Sequence, residues 1–136
     1  WEGEGCVILD LWRRPAARWA AVVAWMGMIF WLSSRPTIPF LGESPVEYVI
    51  RKIGHMAVFG ILAWLVYMAL PGEWGCRRRA WLAGPLAIVY AVTDELHQAL
   101  VPGRYATLMD VLIDTAGIVV ALVAMAWWVR RCERRL

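Results

Sequence analysis

Apolar residues run through the chain in four stretches, near 16–33, 53–70, 80–101 and 108–129. Each approaches the ~20 residues that a helix needs to cross a bilayer. The first two are a little short. The third and fourth carry acidic residues and are expected to score weakly in a hydropathy window. The connections are brief, Trp stands near several ends, and there is no internal repeat or low-complexity segment. One such stretch could be a core helix of a soluble bundle. Four in succession point to an all-α polytopic membrane protein, a bundle of four transmembrane helices. Residues 1–136 are read as a single domain. No signal-peptide pattern with a small-residue cleavage site is present, so the first helix is expected to be retained.

Composition strengthens that picture. The 136 residues are 61% hydrophobic and 18% charged, with mean hydropathy +0.55. An ordinary soluble domain is about half apolar and about a quarter charged. The basic residues also sort by position. Arg13, Arg14 and Arg18 precede the first helix, Arg77, Arg78 and Arg79 fall between the second and third, and Arg130, Arg131, Arg134 and Arg135 follow the fourth. With four spans, these share one side, against Arg35, Arg51, Lys52 and Arg104 on the other. The positive-inside rule then puts both termini in the cytoplasm. The pI near 9.0 reflects this topogenic charge and not nucleic-acid binding. Cys6, Cys76 and Cys132 map to the cytoplasmic side, where thiols stay reduced, and no disulfide or zinc spacing is present. Trp12, Trp19, Trp74, Trp81, Trp127 and Trp128 near that interface read as an aromatic belt.

The apolar pattern breaks at residues 94–104, DELHQALVPGR. Charged groups at membrane depth cost roughly 2.5–3.5 kcal/mol each on insertion scales, so something must offset Asp94 and Glu95. Tyr90, Asp94, His97, Gln98 and Val101 share one helical face, and Glu95 flanks it, rotated by about 100°. Asp110, Asp114 and Gly117 share a face of the fourth helix, where Gly117 lets another backbone come close. Val101–Arg104 is a turn signal, with Pro fixing φ at its second position and Gly accepting φ > 0 at its third. It folds the fourth helix onto the third and delivers Arg104, whose guanidinium can grip a carboxylate or phosphate. Lys52 and His55 open the second helix from the same side. The topology thus predicts that three segments remote in sequence place Lys52, His55, Asp94, Glu95, His97, Gln98, Arg104, Asp110 and Asp114 in one leaflet, the outer one, and that Asp94, Glu95, His97, Gln98, Arg104, Asp110 and His55 converge there on one cavity.

These motifs carry a family resemblance. Ser33-Ser34-Arg35-Pro36, Lys52-x-x-His55, Asp94-Glu95-x-His97-Gln98, Val101-Pro102-Gly103-Arg104 and Asp110-x-x-x-Asp114-x-x-Gly117 span residues 33 to 117. In them the chain resembles the VanZ-like membrane proteins, named for a teicoplanin-resistance factor. The DELHQ…VPGR run is the specific part of the match. Many relatives carry Asn where this chain has Asp114, so the resemblance does not imply a fixed charge there. It implies a multi-pass protein of the bacterial cytoplasmic membrane linked to glycopeptide resistance, and little about mechanism.

Three readings of the polar cluster stay open. It can be a structural ion-pair network pinning the helices in a small membrane scaffold. It can be a membrane-embedded hydrolase or transferase with Asp94, Glu95, His97 and Asp110 as catalytic groups, and His97 as the acid/base. Tyr90, Lys52, His55, Gln98 and Arg104 would then bind substrate. Asp110 and Asp114, one turn apart, would be the ligands if a divalent cation serves as cofactor. Ser33 and Ser34 are weaker candidates for a nucleophile. Thirdly, the cluster can bind lipid or relay protons in transport, for which four short helices would require a homodimer. The partners expected are membrane lipids, lipid-linked envelope precursors or a glycopeptide.

Overall fold

In a computed structural model, residues 14–35, 44–104 and 107–133 are described, apart from the side chains of residues 45, 47, 132 and 133. Arg13, Arg134, Arg135, Trp12, Cys6 and Pro36, as well as the Cys132 side chain, lie outside that description. The regular structure of the described residues is all helical: α1 (Pro15–Ser33), α2 (Pro45–Ala69), α3 (Cys76–Gln98) and α4 (Leu108–Glu133).

The expected boundaries shift in two places. α2 begins eight residues before the expected 53, so Lys52 and His55 lie in its second and third turns and do not open it. Its first residue is Pro45, whose missing N–H costs nothing where the first amides have no partner. α3 begins at Cys76, with Arg77, Arg78 and Arg79 inside its first turn, and ends at Gln98, short of the expected 101. Hydropathy also falls differently from expectation. α1, Tyr48–Ala69 of α2 and Leu108–Arg131 of α4 are long and apolar enough to cross a membrane, and the α4 segment is the most apolar of the three. The Ile, Val and Ala that surround Asp110 and Asp114 outweigh the two charges. α3 alone falls short, because it carries arginines at one end and the acidic run at the other.

α2 and α4 form the most extensive pairing, and α1 rests mainly on α2 and little on α3. At the α2–α4 crossing a Cβ on Gly117 would collide with the carbonyl oxygen of Met56. No side chain fits there, and the glycine allows the backbones to touch. The core holds Phe59, Leu62, Ala63, Val66 and Ile118, and Ala83, Ala87 and Ala91 make a small-residue stripe on α3 that admits close packing. Trp25 donates its indole N–H to the Val58 carbonyl (3.0 Å) and ties α1 to α2. Outside this core, large apolar side chains such as Val23, Trp81, Val89, Val120 and Trp127 are exposed. Such a surface suits lipid rather than water.

Arginines close the end where α2 meets α3. Arg79 donates to the Tyr67 carbonyl through Nε (3.0 Å) and a terminal nitrogen (2.6 Å). Arg18 donates to the Met68 carbonyl (3.4 Å). Two last-turn carbonyls of α2, which have no partner within the helix, thus receive cationic donors. Arg78 lies 4.1 Å from the Trp74 ring and Arg131 5.0 Å from the Trp127 ring.

Candidate functional site

The opposite end of the bundle is polar. Here α1 and α3 finish, and α4 begins after a turn closed by the Arg104 N–H donating to the Val101 carbonyl (3.1 Å). Gly103 has φ 79°, as the Pro-Gly pair predicts, in a region that side chains other than glycine rarely occupy.

The predicted face of α3 meets α1. Ser33 Oγ donates to Asp94 Oδ2 (2.8 Å), and Gln98 Nε2 donates to the same oxygen (2.7 Å). Ser34 Oγ stands 3.0 Å from His97 Nε2 and donates to the Phe30 carbonyl (2.7 Å). The His97 ring stacks on Phe30, with centroids 4.3 Å apart. Tyr90 donates its hydroxyl to the Met26 carbonyl (2.7 Å). Its polar atom is therefore engaged with the α1 backbone.

The flank of α3 meets the start of α4. Glu95 Oε1 accepts the Thr107 N–H (2.7 Å). Beside it, α2 and α4 are joined by an ion pair, Lys52 Nζ with Asp110 Oδ1, and His55 Nδ1 lies 3.5 Å from Asp114 Oδ1, a polar contact that carries charge on both sides only with the imidazole protonated. Glu95 is within electrostatic reach of Asp110, Asp114 and His55, and Asp114 within that of Asp94, so the two sides of α3 belong to one charged neighbourhood.

Between α1, α2 and the α3–α4 turn lies a cavity of about 250 Å³. Arg51, His55, Arg104 and Ser33 supply its polar wall, and Ile29, Leu32, Val58 and Phe59 its apolar wall. Of the side chains expected to share one cavity, His55 and Arg104 line it. Asp94 stands behind Ser33, His97 turns to Ser34, and Lys52 and Asp110 face each other. Arg51 and Thr107 join the site although the sequence reading gave them no part in it, and Ser33, there a weaker nucleophile candidate, serves as a donor to Asp94. Arg51 was within reach of that reading, since it stands four residues before His55 on the same helical face.

Asp94, Glu95 and Asp114 are 4%, 5% and 1% exposed. Asp94 Oδ1 and Glu95 Oε2 are buried with no hydrogen-bond partner among the described residues, and buried Asp114 Oδ1 has only the long approach of His55 Nδ1 at 3.5 Å. Burying such an atom is expensive unless it meets a proton, a cation or another donor. Asp110 and Asp114, the expected metal ligands, face Lys52 and His55. Among the described residues no group of three or more His, Cys, Asp or Glu side chains is placed to hold a metal ion.

The family model described as VanZ/LLP1 matches residues 18–129. The chain belongs to the VanZ/LLP1 family. The matched segment contains every polar contact of this end and the cavity beside it. Together with three helices apolar enough to span a bilayer, membership makes the chain a VanZ-like membrane protein. Neither a curated protein nor a solved structure gives a significant match. What this VanZ-like site does must therefore be argued from its own geometry.

Proposed function

We propose that residues 1–136 act as one four-span VanZ-like unit of the bacterial cytoplasmic membrane, with both termini cytoplasmic. On this reading its polar end lies in the outer leaflet and binds the anionic headgroup of a lipid or lipid-linked envelope precursor, and cells that carry it become less susceptible to teicoplanin. The basic residues at the α2–α3 turn and the chain ends support the orientation. The observation that carries the binding reading is the cavity, where Arg51, Arg104 and His55 face an apolar wall. Guanidinium forks suit a phosphate, and the apolar wall suits the first carbons of a lipid tail. The carboxylates behind this wall hold Lys52 and His55 in place and balance the cationic site. Arg104→Ala should abolish protection from teicoplanin in a susceptible bacterial host and weaken retention of a polyprenyl-phosphate lipid in nanodiscs. Arg35→Ala, whose guanidinium lies over the Trp31 ring, should do neither. Equal tolerance of both substitutions in protein that inserts normally would refute the reading.

A second reading, a membrane-embedded hydrolase or transferase, is favoured by one observation. Ser34 Oγ is within hydrogen-bond reach of His97 Nε2, the distance a base-activated nucleophile requires, although its hydroxyl hydrogen must first turn from the Phe30 carbonyl to the imidazole. A serine-directed fluorophosphonate should then label the protein, and Ser34→Ala should block labelling where Ser33→Ala does not. No labelling of Ser34 would dismiss it.

A further inference from the structure

We propose that the long groove between α2 and α4 holds one anionic phospholipid of the leaflet that faces the arginine-rich end. Its tail lies along the groove floor and its phosphate at the first turn of α3. This site is separate from the polar end and does not depend on what that end does.

The groove encloses about 1150 Å³, more than the roughly 300–1,000 Å³ of pockets for compact ligands. One face each of α2 and α4 forms its sides. Ala57, Gly60, Gly117, Ala121 and Ala124 make a floor of small residues, with Trp64 and Trp128 beside it. It runs down to Gly75, Cys76 and Arg79, where α3 begins. An apolar channel that ends at a basic and aromatic collar has the polarity of one lipid, tail to head.

Charge selects an anionic headgroup. Arg77, Arg78 and Arg79 crowd the first turn of α3, which has no acidic residue and no side-chain cap. Positive charge here is piled on the positive end of the helix dipole, and the turn before it offers one carboxylate, the exposed Glu73. Arg130 and Arg131 add charge at the end of α4. A phosphate at this level relieves that repulsion. A second copy of the chain would not, because it enters the membrane in the same orientation and brings the same arginines to the same depth.

The test is native mass spectrometry of the purified chain with equimolar phosphatidylglycerol and phosphatidylcholine of matched tails. Phosphatidylglycerol should be retained preferentially. Arg77→Gln should weaken that retention about fivefold, and Arg77→Gln with Arg78→Gln by about that factor again. Ala121→Phe should fill the floor and cut retention while the helical content stays the same. Because that variant can misfold, the unsubstituted chain is also photo-crosslinked with phosphatidylglycerol carrying a diazirine on its tail. Label should concentrate in residues 57–68 and 117–129. Equal retention of the two lipids, label spread evenly onto α1, or a chain-to-chain crosslink in the groove would each overturn the proposal.

Discussion

Toward α1, the last turns of α3 meet hydroxyls; toward α4, they lie beside charged pairs. Ser33 and Gln98 hold Asp94 with neutral donors, and Ser34 meets His97. Across α2 and α4 the corresponding work is done by Lys52 with Asp110 and His55 with Asp114. The packing beneath differs as well. α2 and α4 touch backbone to backbone at Gly117, whereas α1 rests only lightly on α3. The charged seam is thus also the tightly packed one, and the neutral seam borders the cavity. Segments with few contacts open at the lowest free-energy cost. The difference therefore assigns fastening to the α2–α4 side and, on the headgroup-binding function proposed above, ligand access to the α1 side.

The comparison breaks most severely at Gly117. Gly117→Leu drives a side chain into the Met56 backbone, which cannot yield as a flexible side chain would. Overpacking commonly costs about 1–3 kcal/mol, and a backbone clash belongs at the upper end or beyond. Gly60→Ala, whose Cβ would stand 3.1 Å from the Gly117 carbonyl, should cost clearly less. Thermal unfolding in detergent checks both, and equal effects would mean that the helices are not locked at Gly117.

Next comes the pair itself. Lys52→Met leaves Asp110 without its cation. Losing one partner of a fully buried pair costs ~3–5 kcal/mol. Lys52 and Asp110 keep 18% and 16% of their side-chain surface exposed, so about 2 kcal/mol is expected. Adding Asp110→Leu should recover most of that loss, because a well-packed apolar pair replaces an ion pair at little cost. A double-mutant cycle by thermal unfolding measures the coupling; a double variant no better than the single would show that Asp110 acts independently of Lys52.

On the other flank, Ser33→Ala removes one of the two donors to Asp94 Oδ2 and leaves Gln98 in place. A lost hydrogen bond to a buried acceptor typically costs about 1–3 kcal/mol, and the remaining amide keeps the loss near the lower bound. The same assay orders it below Lys52→Met. The reverse order would place the stronger fastening on the α1 side.

The sequence revealed this division only in part. The polar residues that meet at one end were legible, because Asp94, His97 and Gln98 follow helical spacing and the Pro-Gly turn returns α4 beside them. The face they present was therefore legible, but its partner was not. Ser33 and Ser34 read as part of the family motif and as weaker nucleophile candidates, not as partners of α3, and nothing in periodicity says which neighbour a helix end touches. The early start of α2 was hidden by Glu47, Arg51 and Lys52, which look like loop when the eye follows apolar residues alone. Pro45 was the signal that could have placed it. The arginines of α3 hid its first turn in the same way. A cavity at this end was expected, with His55 and Arg104 in its wall, but its remaining lining was out of reach, since it depends on how α1 and α2 pack against the α3–α4 turn.

The smallest stability effect decides the most about function. Glu95→Gln keeps an acceptor for the Thr107 N–H and replaces the partnerless Oε2 with a neutral amide nitrogen. His97→Gln keeps a polar group near Ser34 but gives up the stacking on Phe30. A neutral side chain is cheaper to bury than a charged one, so unfolding temperatures should stay within a few degrees of the parent, roughly 0.5 kcal/mol. If the function proposed above holds, teicoplanin susceptibility should behave differently. Amides cannot carry a proton as a carboxyl or imidazole does, so a cluster that moves protons or balances a bound headgroup should lose its protective effect in both variants. If both variants stay stable and protect fully, the acidic turn of α3 only joins the two seams, and function rests with Arg51, His55 and Arg104 around the cavity.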